Sequence, residues 1–148
     1  SCSNIEFVYD KNEKTINPLF EKTKVNASGV DIAYLNSFVP IFFGNNTDPL
    51  YDLIIVIEEK KTKNSVETNQ ATSNLRYELR FTYKLILKKQ SCLVFEREIV
   101  SFFSIIPKSG GYNYGTDASL DNKYELAISE NFDQFISLLS DININNCR

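Results

Sequence analysis

The sequence predicts an α+β fold: a two-layer sandwich in which a mostly antiparallel four-stranded sheet packs on two helices, in the order β-α-β-β-β-α. Three observations carry this. Residues 75–88 alternate apolar and polar side chains, as a half-buried strand does. Residues 93–106 resume the alternation after a short polar turn, as a hairpin partner would. Residues 117–142 place apolar side chains three and four apart, the stripe of an amphipathic helix. The 148 residues suit one domain. Residues 1–20 read as an extended tether and residues 21–148 as the folded unit, with Pro18, Leu19 and Phe20 touching it.

Taken in order, Lys22 to Ala27 predicts a short first strand, closed by a turn at Ser28-Gly29. Val30 to Phe43 predicts the first helix, because Ile32, Leu35, Val39 and Phe42 or Phe43 recur at helical spacing. Asp31 suits its positive end. Pro40 conflicts with this reading, since an interior proline costs about 3 kcal/mol, so the helix is expected to stop near Phe38 or to kink. Tyr51 to Lys60 predicts a strand whose run Leu53-Ile54-Ile55-Val56-Ile57 implies cover on both faces at its start. Lys61 to Asn74 reads as a polar, mobile loop.

In the strand that follows, Leu75, Tyr77, Leu79, Phe81, Tyr83, Leu85 and Leu87 face the core, while Arg76, Arg80, Lys84 and Lys88 face outward. A turn through Lys89 to Ser91 sets Phe95 opposite Leu85, Ile99 opposite Phe81 and Glu96 opposite Lys84. A slip of one residue would set Glu98 against Phe81, which argues against it. Leu93 is expected to share the inward parity of Phe95. Pro107 to Thr116 is a loop rich in Gly and Tyr, and Thr116 or Asp117 can cap the last helix.

Composition removes several function classes. Net charge is −3 and the pI about 5.0, which leaves no basic signature of a nucleic-acid binder. Histidine is absent, which removes Ser-His-Asp and Cys-His catalysis and His-ligated metals. No phosphate loop or zinc spacing occurs. The reading is of a non-enzymatic protein without metal or cofactor.

The cysteines are Cys2, Cys92 and Cys147. An odd count leaves one thiol to explain in an exported protein. Cys2 sits where bacterial lipoproteins carry their lipid-modified cysteine, and the sequence has no Met, so we expect removal of a leader and a lipid anchor on Cys2. Cys92 and Cys147 are then free to pair in an oxidising compartment and pin the C-terminal tail to the sheet. The basic row Arg76, Arg80, Lys84 has two readings. One is a solvated face balanced by Glu78, Glu96 and Glu98; the other is a site for a phosphorylated glycolipid, since guanidinium groups grip phosphate through a planar fork.

Several stretches resemble the lipopolysaccharide-assembly lipoprotein family, LptE. They are the cysteine near the start, Cys2; the apolar strand Tyr51-Asp52-Leu53-Ile54-Ile55-Val56-Ile57; the segment Ala71-Thr72-Ser73-Asn74-Leu75-Arg76-Tyr77-Glu78-Leu79 leading into a long alternating strand; and the loop Tyr112-Asn113-Tyr114 before the last helix. The opening departs from the family, reading Cys2-Ser3-Asn4 with Pro18-Leu19-Phe20 displaced. The resemblance implies a lipid-anchored protein on the periplasmic side of the outer membrane. It would plug and partner an LptD-like β-barrel and bind lipopolysaccharide. Arg76 lies in the matching stretch; Arg80 and Lys84 follow from strand parity alone. The competing reading is a soluble periplasmic lipid- or protein-binding module, which would need an internal apolar cavity.

Overall fold

Residues 17–65, 73–106 and 114–148 are described by a computed structural model of the chain. They form β1 (Thr23–Gly29), α1 (Ile32–Phe43), β2 (Tyr51–Ser65), β3 (Ser73–Leu87), β4 (Cys92–Ile105) and α2 (Tyr114–Leu139). The strands lie in the order β1-β2-β3-β4, with β1 parallel to β2 and the other two pairs antiparallel. This is the α+β architecture the alternation predicts.

The hairpin register is the predicted one: Leu85 faces Phe95, Phe81 faces Ile99 and Lys84 faces Glu96. Burial fixes it. Leu79, Phe81, Tyr83 and Leu85 are fully enclosed, and a one-residue shift would turn all of them to water. Leu93 departs from its expected parity. A bulge beside Leu85 and Ile86 sets Leu93 opposite Ile86 and buries Val94 instead.

Between sheet and helices the core is aromatic. Tyr83 stacks on Phe135 at 4.0 Å between ring centroids, and Phe132 meets Phe42, Phe43 and Phe81 edge-on. Helix α2 packs over β4, α1 over β1, and the helices touch each other. Asn131 is fully buried in this layer and fully used. It accepts from the Tyr83 hydroxyl at 2.6 Å and donates to Ile99 O at 3.2 Å and Ser101 Oγ at 2.8 Å. Burial holds the Tyr83 hydroxyl well above its ordinary pKa.

Pro40 does not end α1, which runs on to Phe43. Phe43 is fully enclosed against Phe132, and burying such a ring contributes roughly 2–3 kcal/mol, comparable to the proline cost. The chain then turns at Gly44, whose φ of 74° lies in the left-handed region that favours glycine.

The expected loop from Lys61 to Asn74 is strand at both ends, 61–65 and 73–74, and residues 66–72 lie outside the described residues. Pairing continues from Lys61 opposite Tyr77 to Ser65 opposite Ser73. Polarity misleads here because the pairing is backbone to backbone and Tyr77 anchors it, stacked on Phe103 at 4.7 Å. Nor does a second layer cover β2: Ile54 and Val56 are only half-buried on the open face, beside Lys84 and Thr82 across the pair. Helix α2 starts at Tyr114, before the expected cap, and gives way to turns from Ser140. The Thr116 and Asp117 side chains lie outside the described residues.

The tail after α2 crosses the start of β4. Cys147 is joined to Cys92 by a disulfide with a Cα–Cα distance of 5.7 Å. Arg148 N donates to Leu93 O at 2.9 Å, and the Tyr51 hydroxyl donates to Ile144 O at 3.1 Å.

Candidate functional site

Strand parity places Arg76, Arg80 and Lys84 on the sheet face that carries no helix, as the sequence implies. Their surroundings differ. Arg80 Nη2 lies 3.0 Å from Glu78 and its Nε 3.4 Å from Glu98, with Glu58 opposite on β2. Lys84 Nζ lies 3.9 Å from Glu96. These two cations are met by carboxylates, and the pairs with Glu98 and Glu96 tie β3 to β4. Such half-exposed pairs contribute roughly 0.2–1 kcal/mol each.

Arg76 has different company. Its guanidinium lies 4.4 Å from the centroid of the Phe102 ring, and Phe102 is 51% exposed. Its strand neighbours across the pair are Thr62 and Ser104. It sits on the far part of the β2–β3 hairpin, where residues 60–63 are exposed. Along 60–65 and the paired 73–78 the cations are Lys60, Lys61, Lys63 and Arg76 and the carboxylate is Glu78, which already serves Arg80. Lys60 and Arg76 share the face of Glu78, whereas Lys61 lies over the Tyr77 ring at 5.4 Å on the helix side, near Asp31 and Glu59. This arm is cationic where the middle of the sheet is neutral. Ile106, 63% exposed, adds a second apolar side chain at the same end of β4. A positive strand pair flanked by exposed apolar groups suits an amphiphile with an anionic head.

At the root of the arm, on the helix side, the character inverts. Glu59 accepts from the Tyr124 hydroxyl at 2.6 Å, and Tyr34 donates to Asp121. Tyr34 and Tyr124 stack at 4.7 Å. The bond to Asp121, with burial next, pushes Tyr34 up to about 12. Burial and the bond to Glu59 push Tyr124 further above its ordinary range. Asp31, at the β1–α1 junction, is pushed up from 3.8 to about 7 by burial and then by its neighbour Glu59, against the opposing pull of Lys61. Sequence reasoning missed this cluster, because nothing in one chain's spacing joins residues 31, 59 and 124.

An open groove of about 1870 Å³ runs outside the core, between the end of α1, the second half of α2 and β4. Phe20, Ile41, Phe42 and Ile142 line it with Arg97. The layer between sheet and helices is filled by Phe81, Tyr83, Phe132 and Phe135. Among the described residues, no group of acidic or cysteine side chains is arranged to hold a metal. None of the described helices is long and apolar enough to cross a membrane. Cys2 lies outside the described residues.

Fold and site together define a small α+β domain: an open mixed sheet, two helices on one face and a cationic hairpin arm. Solved structures share this architecture. Rare lipoprotein B from Shewanella oneidensis superposes with a TM-score of 0.55 at 10% identity, over 81% of this chain and 98% of that one. A candidate lipoprotein of Caulobacter crescentus CB15 does so with a TM-score of 0.52 at 16% identity, over 78% of this chain and 85% of that one. The chain therefore has the fold of these bacterial proteins. No family model and no curated protein matches its sequence.

Proposed function

We propose that this chain is a lipid-anchored outer-membrane lipoprotein that assists lipopolysaccharide assembly, as plug and partner of an LptD-like β-barrel. The observation that carries the reading is the β2–β3 arm, where Lys60, Lys63 and Arg76 have one carboxylate, Glu78, among them beside exposed Phe102, on a fold shared with rare lipoprotein B. The family resemblance around Arg76 supports the same role. Arg76, with Lys60 and Lys63, is the anion-binding set. Arg80 and Lys84 serve the sheet through their glutamates and contribute little to ligand. Cys2 carries the lipid anchor and holds the domain at the periplasmic side of the outer membrane.

Detergent extraction of native membranes tests it. The protein should co-purify with a large outer-membrane β-barrel, and Cys2→Ser should move it from the membrane to the soluble fraction. A lone, monodisperse protein from intact membranes would remove the barrel role. Unchanged fractionation of Cys2→Ser would remove the anchor.

A further inference from the structure

Asp31 is unusual on three counts that do not depend on one another. Its φ of 57° places it in the left-handed region, which non-glycine residues seldom occupy. Its Oδ2 is buried with no hydrogen-bond donor facing it. Its carboxyl comes alongside that of Glu59, because Gly29 pairs with Ile57 and Val30 N donates to Ile57 O, and Glu59 already accepts from Tyr124. Two carboxylates are acceptors only and cannot bond to each other, so the pair bonds only when one holds a proton. A proton on Asp31 supplies the donor that its buried oxygen lacks.

The position of this pair gives the proton a mechanical meaning. Asp31 caps α1, accepting from Tyr34 N and Leu35 N through its backbone carbonyl. The preceding Val30 N donates to Ile57 O on β2 at 3.1 Å. Glu59 lies on β2 next to Lys60, where the exposed arm begins, and its Oε1 receives the α2 hydroxyl of Tyr124.

We propose that Asp31 and Glu59 form a proton-operated latch: one shared proton clasps the β1–α1 junction onto β2 and, through Tyr124, onto α2, and its loss loosens the root of the hairpin arm. The charged and titratable groups facing the pair are Lys61 on β2, Tyr77 on β3, Tyr34 on α1, and Tyr124, Asp121 and Glu125 on α2. Lys61 opposes proton uptake by Asp31, whereas Glu59 favours it. When the proton leaves, two carboxylates remain face to face, and the junction moves apart to hydrate them.

The sign of the effect follows from linkage. The folded chain holds this proton more tightly than the unfolded chain does. The latch is therefore fully present below the ordinary carboxyl value of 3.8 and is lost as pH rises through about 7. This is the reverse of a salt-bridged carboxylate.

Asp31→Asn tests the latch. An amide donates to Glu59 at every pH, and Asn tolerates the left-handed conformation. Between about pH 5.5 and about pH 8.5 the melting temperature of the unmodified chain should fall more than that of Asp31→Asn, which should be the more stable at the upper end. Hydrogen exchange at Val30, Tyr34 and Leu35, corrected for base catalysis, should accelerate by up to about tenfold per pH unit above the midpoint, and only in the unmodified chain. Parallel pH profiles of the two proteins would overturn the proposal. Should the variant fail to fold, carbon-13 titration of the Asp31 carboxyl in the unmodified chain decides: a midpoint near neutrality supports the latch, and one in the ordinary carboxylate range overturns it.

Discussion

Removing the disulfide by Cys92→Ala with Cys147→Ala should cost up to about 4 kcal/mol of folding stability. The two cysteines are 55 residues apart in sequence. Closing a loop of that length in the unfolded chain removes conformational entropy worth about 4 kcal/mol at room temperature in the chain-entropy account. The tail offsets none of this by other strong anchors. Once the bridge is cut it keeps the bonds from Arg148 N to Leu93 O and from the Tyr51 hydroxyl to Ile144 O, each worth about 1 kcal/mol net. A domain of ordinary stability holds about 5–15 kcal/mol, so the loss is a large share of the total. Urea denaturation of the oxidised chain, the reduced chain and the double variant measures it. The two bridgeless forms should agree and unfold at lower urea. Equal midpoints for all three would refute the reasoning, as would free thiols from Cys92 and Cys147 in the denatured, unreduced chain.

Two substitutions probe the core through different physics. Asn131→Leu keeps volume but leaves the Tyr83 hydroxyl and Ile99 O without their partner, and should cost about 2–4 kcal/mol in a denaturant titration. A neutral outcome would mean that water replaces the amide. Pro40→Ala restores a helical N–H and relieves the ring clash inside α1, so it should stabilise by about 1–3 kcal/mol, read as a rise in melting temperature; a fall would show that the proline bend is needed to seat Phe42 and Phe43.

The strands were legible because burial of one face imposes a period of two on the sequence. Phe81 and Tyr83 with Ile99 and Phe95 fix a register that no shift preserves. The far hairpin was not legible, because residues 61–65 gain their strand pairing from a polar backbone and from a single anchor, Tyr77. Pro40 misled for a similar reason: local propensity disfavours the last turn of α1, and the distant Phe132 decides it. The cation row was visible from parity, yet its meaning was not. Glu78, Glu96 and Glu98 can be counted in the sequence, but only the folded sheet brings them to Arg80 and Lys84 and leaves Arg76 to a ring. The Asp31–Glu59 contact joins β1's end to the middle of β2, and periodicity carries no signal for it.

The proposed role rests on where positive charge is available, and one comparison addresses that directly. Lipopolysaccharide binding should be measured for Lys60→Gln/Lys63→Gln/Arg76→Gln and for Arg80→Gln/Lys84→Gln, each confirmed as folded. Charge-assisted bonds to phosphate contribute about 1.5–3 kcal/mol apiece, so the arm variant should bind at least about tenfold more weakly. The face variant should stay close to the unmodified chain. Equal affinity for the arm variant, or a larger loss from the face variant, would contradict the assignment of the hairpin arm as the anion site.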